Sequence, residues 1–320
     1  MKITKESLKR IIKKELEKAV NRRVRIYEKA DPSMVDPNLF PSKLSQVDAE
    51  LAKKLAVSGL EDGSEEDDDA GVAGASVAAS ELKATQSTMD LAKFVGMSIQ
   101  MLGKIGGFPN GPGGDLGGII SSDNHIMDGH HRWAGSLLVD PNSKLGGIRI
   151  NLPGKQLVGV LNVWTAAKKG SEGKNSTHKM SDLTPELVAD EFKKSVENAD
   201  SNKFLPSTEE ILAAFKKEGF DSLDAAVEHI KMNWAKTSAL RTVESWMPEK
   251  KDMPAIEKAD LKTVKADIEG GKMDLNPPYG FKKGGESEAT NMSSDSEEDK
   301  TLNERWMRIA GISNKGRKLI

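Results

Sequence analysis

"SSDNHIMDGHHRWAGSLL", residues 121–138, holds three of the five histidines of a 320-residue chain, together with an arginine, a tryptophan and an aspartate beside a glycine. With the two isoleucines before it, its first half reads as two short strands around an Asp-Asn turn. Its second half, "HHRWAGSLLV", reads as a short helix whose buried side is Trp133, Ala134, Leu137 and Leu138. A strand that turns straight into a helix leaves the first-turn N–H groups unpaired and the positive dipole end exposed. Gly129 removes a side chain where an anion must approach closely. His130, His131 and Arg132 add donors, and the Arg132 guanidinium can grip phosphate oxygens in a fork.

Two other readings compete. His125, Asp128, His130 and His131 are acceptable ligands for zinc or iron. Adjacent His130 and His131, however, point in different directions on any regular backbone, and the helical i, i+4 ligand spacing is absent. Plain surface polarity accounts for the charges alone. The anion reading accounts for the glycine, the basic residues and the adjoining apolar helix with one geometry.

Working outward, "SVAASELKATQ" reads as a short strand entering a turn. "STMDLAKFVGMSIQMLGKI" reads as a helix with Leu91, Phe94, Val95, Met97, Ile99 and Leu102 in register and Ser87 as N-cap. "GGFPNGPGGDLGG" is a glycine-rich loop that either closes over a ligand or forms a surface turn. "GGIRIN" and "QLVGVLNVW" supply two further strands. The order β-α-β-β-α-β-β predicts a small α/β (α+β) domain over residues 76–165.

From residue 181 the period becomes helical. Ser181 or Thr184 caps a helix with Pro185 in its first turn, Ser207 or Thr208 caps a second that Gly219 stops, and "DSLDAAVEHIKMNWAKTSAL" forms a third. This predicts a helical companion region over 166–270. The three-proline stretch and the acidic block "EDGSEEDDD" make 29–75 a linker, interrupted by a brief helical pattern from Ala49 to Leu60. A second acidic, serine-rich linker covers 271–301. Residues 1–28 predict a basic amphipathic helix, and 302–320 a short docking helix with a basic tail.

The composition bounds the function. Hydrophobic residues are 37%, aromatics 5% and charged residues 30%, so the packed core is modest for the length. A net charge of −2 gives no global attraction to nucleic acid or anionic membrane. The absence of cysteine removes disulfides, thiolate chemistry and cysteine-ligated zinc. No apolar run approaches the ~20 residues of a membrane span, and the charged N-terminus does not resemble a secretory signal. The expectation is a non-secreted, cytoplasmic protein with no membrane span. The lysine-rich N-terminal helix could rest on its own protein, dock on a partner, lie on a membrane surface or touch DNA.

"IISSDNHIMDGHHRWAGSLL" resembles the signature loop of the ParB/sulfiredoxin superfamily, in particular the ParB-like nuclease branch with an Asp-Gly-His-His-Arg core, and "ASELKATQ" is similar to that domain's first box. The resemblance covers about 90 residues. It implies a small α/β fold that holds nucleotide phosphates on the Gly-x-x-Arg turn, with ATP, ADP or CTP as candidate nucleotides and magnesium as a candidate companion. Gly129 and Arg132 match all branches, His131 matches sulfiredoxin and the free-serine kinases, and Asp128 matches the kinases. His130 stands where sulfiredoxin has its cysteine, which excludes that repair chemistry. His131 replaces the arginine of chromosome-partitioning members, and their following helix-turn-helix is not evident, which puts centromere binding in doubt.

On this resemblance the backbone of Gly129 to His131 and Arg132 would hold phosphates. Asp128 would accept a proton or hold magnesium, His131 would donate to a phosphoryl oxygen, and His130 would act as a base or support its neighbours. Gln86 and Asp115 would complete the rim of the site, or simply cap turns. The expected activity is phosphoryl transfer or nucleotide or phosphodiester hydrolysis.

The ends, "MKITKESLKRIIKKEL" and "LNERWMRIAGI", resemble end-pieces of proteins of marine tailed phages (bacteriophages), which implies an alternative: a structural or assembly protein whose ParB-like domain is catalytically silent, in a virion or a host cytoplasm. DNA binding through the basic N-terminus is a further alternative. "DLNPPYG", residues 274–280, resembles the Asn-Pro-Pro-Tyr box of amino-group DNA methyltransferases. No methyl-donor motif accompanies it, and a proline-stiffened loop is the better account.

Overall fold

The computed structural model describes residues 40–59, 70–170 and 178–275. The expected terminal helices (1–28 and 302–320), most of the second acidic linker and all but the first two residues of "DLNPPYG" lie outside the described residues.

The fold is α/β. A four-stranded sheet is built from β1 (Val72–Ala78), β3 (Gly114–Ile120), β4 (Ile126–Asp128) and β5 (Lys144–Ile150) in the order β1-β5-β3-β4. β3 pairs parallel with β5, and the two outer pairings are antiparallel. A second, two-stranded sheet joins β2 (Thr88–Met89) to β6 (His178–Lys179). The expected strand–turn–strand at 119–128 is present, with Ile119 paired to Asp128 and Asn124 in the left-handed region at the turn.

Helix α1 (Ala49–Ser58) precedes the sheet, α2 (Leu91–Gly103) follows β2, α3 (His130–Val139) follows β4, and α4 (Gly154–Lys168) follows β5. The cap of α2 is Asp90, not Ser87: its carboxylate accepts from the Lys93 N–H, while Ser87 spends its own N–H on the Pro248 carbonyl. The glycine-rich loop is shorter than expected, because β3 already begins at Gly114.

"QLVGVLNVW" is not a strand. It lies inside α4, where nearly every side chain from Gly154 to Ala166 is buried. A helix covered on all sides shows no amphipathic period, and its apolar run then looks like a buried strand.

The linker expected at 29–75 is packed over its described part. Phe40, Leu44, Val47, Leu55 and Ala56 are buried, and α1 lies along α4. The Asn162 side chain donates to the Pro41 carbonyl, the Ser45 N–H to Asp252, and the Asp274 N–H to the Leu55 carbonyl. Helices α5 (Pro185–Glu197), α6 (Thr208–Lys217) and α7 (Leu223–Lys236) carry the expected caps Thr184 and Ser207, and Gly219 follows α6 with φ +94°. A further helix, α8 (Leu261–Glu269), was not evident from the periodicity.

The helical region is not a separate companion. α5 and α7 pack on α2 and α3, and one apolar core runs from Leu82, Phe94 and Trp133 through Phe192 and Phe215 to Trp234. Among the described residues no helix is long and apolar enough to cross a membrane.

Candidate functional site

β4 ends at Asp128 and α3 starts at His130, with Gly129 alone between them. Gly129 adopts φ +96°, a conformation that costs L residues about 1–2 kcal/mol, so the abrupt strand-to-helix turn depends on it. It is the N-cap of α3 and brings no side chain to the helix start. The Arg132 guanidinium lies over it: a Cβ built on Gly129 would sit 3.7 Å from Nη2.

Arg132 Nη2 also stands 3.5 Å from Asp128 Oδ2, with both side chains a quarter to a third exposed. Such a pair contributes about 1 kcal/mol at most. Burial raises the Asp128 pKa above the ordinary carboxylate value, although Arg132, the Gly129 N–H and Lys93 pull the other way.

The two histidines have defined jobs. His130 is buried, and its Nε2 accepts from the Thr85 N–H at 3.2 Å. His131 Nε2 accepts from the Asp90 N–H at 3.4 Å. Burial lowers both pKa values to about 3; Lys93 and Lys250 add to the shift at His131. Each ring is therefore neutral near pH 7, and with Nε2 accepting, the proton sits on Nδ1. His130 is held as a strut between α3 and the segment before α2. A base role for it would require giving up the bond to Thr85.

The segment 85–90 is the second wall of the site. Gln86, adjacent to Thr85, is buried, and its carboxamide nitrogen has no hydrogen-bond partner among the described residues. A buried amide donor without an acceptor costs about 1–3 kcal/mol, a penalty that a ligand oxygen would remove. The Lys250 N–H donates to Thr88 Oγ1 at 2.9 Å. Sequence reasoning found Gln86 but missed Thr85, Asp90, Lys93 and Lys250. The Asp90–Lys93 capping spacing was readable as a helix start, whereas nothing local marks Lys250.

Asp115 does not join this group. It lies near the opposite end of β3 from Ile119, the partner of Asp128, and its carboxylate accepts from the Gly117 N–H at 3.0 Å. It is an exposed turn cap.

His125 belongs to a neighbouring polar knot. Its Nδ1 is 3.2 Å from Asp123 Oδ1, its ring meets the edge of Trp246, and it packs against Gly154 at the start of α4. Burial alone would raise the Asp123 carboxyl, but His125, Ser121 and the Gly154 N–H outweigh it and hold its pKa at about 2. Arg149 closes the same turn through the Ser121 and Ser122 carbonyls and the Asn124 side chain.

The metal alternative finds no support here. Among the described residues no three His, Cys, Asp or Glu side chains converge as a metal site, and both Nε2 lone pairs of His130 and His131 are already engaged. A lone carboxylate such as Asp128 suits magnesium only when ligand phosphates and water supply the other oxygens.

Fold and site together define a mixed α/β domain with a glycine-initiated helix start that no side chain caps, Arg132 lying over the glycine and His131 tied to the start of α2. No family model matches the chain, and no match is found among curated proteins or solved structures.

Proposed function

We propose that this chain is a ParB/sulfiredoxin-type domain that binds the phosphates of a nucleotide or another phosphorylated small molecule at the Asp128–Arg132 turn. One observation carries the reading: β4 runs directly through a left-handed glycine into α3, no side chain caps that helix, and the Arg132 guanidinium lies over the glycine. First-turn amides that no N-cap side chain covers, with a forked cation close by, are the elements from which anion sites are built. The unpartnered Gln86 carboxamide, next in the chain to the Thr85 that binds His130, would supply a further donor.

The site also suits phosphoryl transfer or hydrolysis. Asp128, with its raised pKa, is a stronger base than an ordinary carboxylate. It would take the proton of an attacking hydroxyl or water as the new O–P bond forms and the old one breaks. The neutral His131 would donate through Nδ1 to a phosphoryl oxygen, and Arg132 with the α3 amides would stabilise the developing charge. His130 positions this start by its bond to Thr85. In the alternative role Asp128 would instead hold magnesium together with the phosphates, and the ion would add charge neutralisation.

Calorimetric titration of the full chain with ATP, ADP and CTP plus magnesium tests the proposal. Wild type should bind at least one of them, and Arg132→Ala should weaken that binding about tenfold or more. Absence of binding by wild type, or equal binding by both proteins, rejects the site.

A further inference from the structure

The two edges of the four-stranded sheet differ. β4 is covered: Lys83 bridges to His125 in parallel, its N–H on the Asn124 carbonyl and its carbonyl on the Ile126 N–H. β1 pairs with β5 on one side, and among the described residues no strand lies on the other. The phase of that pairing is fixed, because the Asn151 N–H binds the Gly71 carbonyl and the Ala79 N–H binds the Ser143 carbonyl. In an antiparallel ladder Ala73, Ala75 and Val77 then also turn their backbone groups to β5, while those of Val72, Gly74 and Ser76 point away from it. Among the described residues no hydrogen bond reaches these outward groups.

Nothing in β1 blunts this edge. Its sequence, "VAGASVA", carries no charge and no proline, and its register with β5 runs without a bulge. Gly74 and Ser76 are exposed, and a Cβ built on Gly74 would meet nothing within 4 Å. Soluble proteins usually protect an open edge with a lysine, a proline or a bulge, because its free N–H and C=O groups template a further strand.

We propose that β1 pairs with β1 of a second copy of this chain, antiparallel and centred on Gly74, so that two four-stranded sheets join into one. Gly74 then faces Gly74 of the second copy and Val72 faces Ser76, with about six backbone hydrogen bonds across the two-fold axis. Parity favours this occupant: the residues that point outward are the same set that a two-fold centred on Gly74 brings opposite itself. Charge favours it as well. The acidic run 61–69, "EDGSEEDDD", precedes the strand in the chain, whereas exposed Lys144 stands opposite Ala78 at its far end. Among the described residues Lys144 has no ion-pair partner, and Glu81, at the same end, spends its carboxylate on the Ala78 N–H. Antiparallel pairing directs the acidic run of each copy toward the Lys144 end of the other and keeps the two runs apart. Assembly also closes at two copies, since the β4 edge is already occupied by the chain beside it. The 128–132 turn follows β4, at the outer ends of the joined sheet, so this pairing neither needs nor blocks the anion site.

Sedimentation equilibrium of the full chain over a wide concentration range, read with amide hydrogen exchange, tests the pairing. Wild type should show a monomer–dimer equilibrium. Its Gly74 and Ser76 amides should be protected where the dimer dominates and exchange freely on dilution. Ser76→Pro removes an outward N–H that the monomer does not use, and should be monomeric at concentrations where wild type is dimeric. Gly74→Lys has room for its side chain and sets two ammonium groups opposite each other across the axis, so it should lose the dimer too. Its thermal unfolding should match that of dilute wild type, which keeps the test decisive if the proline variant fails to fold. A wild type that stays monomeric overturns the proposal, even if an added extended peptide binds along β1. Undiminished dimerisation by either folded variant overturns it as well, as does a dimer whose Gly74 and Ser76 amides exchange as fast as in the monomer.

Discussion

His130 shows how one side chain ties site and stability together. It lies inside the fold with its Nε2 occupied by the Thr85 N–H, and its pKa falls from the ordinary 6.5 to about 3 because burial penalises the charged ring. The unfolded chain therefore binds a proton between those values that the folded chain refuses. Stability from this residue is complete above about pH 6.5 and is lost as pH falls toward 3. Between pH 6.5 and pH 5 the loss is about 2 kcal/mol for this one histidine, and His131, shifted in the same direction, adds to it. Gln at position 130 places an oxygen near the Nε2 site without titrating. Urea unfolding at several pH values should give His130→Gln a visibly shallower decline below pH 6.5 than wild type; an identical slope would mean that the ring is not buried neutral. The turn was legible at this scale because Asp128, Gly129 and Arg132 fall within one five-residue stretch and their spacing is itself the geometry. The approach of Lys93 and Lys250 to His131 was not, since nothing in the local sequence marks which ring a lysine on a helix turn or a loop stands near.

At the scale of elements, what the sequence revealed depended on whether an element has a wet face. Helices α2, α6 and α7 each keep one, and their periods, the Ser207 cap of α6 and the Gly219 stop could be read directly, whereas the α2 cap is Asp90 rather than the expected Ser87. α4 has almost none, and "QLVGVLNVW" carries β-branched valines in a continuous apolar run, so local pattern favoured a strand. Its length, Gly154–Lys168, was the discriminating feature. The same buried helix explains why residues 40–58 are not a linker. Gly159 leaves room for Phe40, whose Cβ would lie 2.4 Å from a Cβ at that position, and the chain from Phe40 through α1 covers one side of α4. A proline-rich approach and a neighbouring acidic block hid that packing. Phe40→Ala should therefore cost about 3–5 kcal/mol in denaturant unfolding, the usual range for emptying a buried aromatic site. A change under about 0.5 kcal/mol, as for an exposed linker residue, would show that the segment does not close the core.

For the whole molecule, the consequence of one shared core is that the site cannot be separated from the helices that follow it. Trp234 on α7 stacks on Phe94 of α2 with ring centroids 5.3 Å apart, donates its indole N–H to the Leu183 carbonyl, and supports the Arg241 guanidinium 3.5 Å from the ring on its other side. Asn233, beside it, donates to the Leu138 and Val139 carbonyls at the end of α3. The last turn of the helix that begins at Gly129 is thus closed by a residue from the region that composition and periodicity set apart as a companion. Helical periods identify which face of each helix is apolar, but not which other apolar face will cover it, so that docking was not legible. Trp234→Ala removes the central ring of this contact and should cost about 3–5 kcal/mol. Because the core is continuous, the loss should spread: amide hydrogen exchange in α2 and α3 should accelerate about as much as in α7. Ligand affinity at the 128–132 turn should fall as well, since α3 and the segment before α2 would no longer be held in register. Faster exchange confined to residues 185–241, with α2 and α3 as protected as in wild type, would instead make the helical region a separate folding unit.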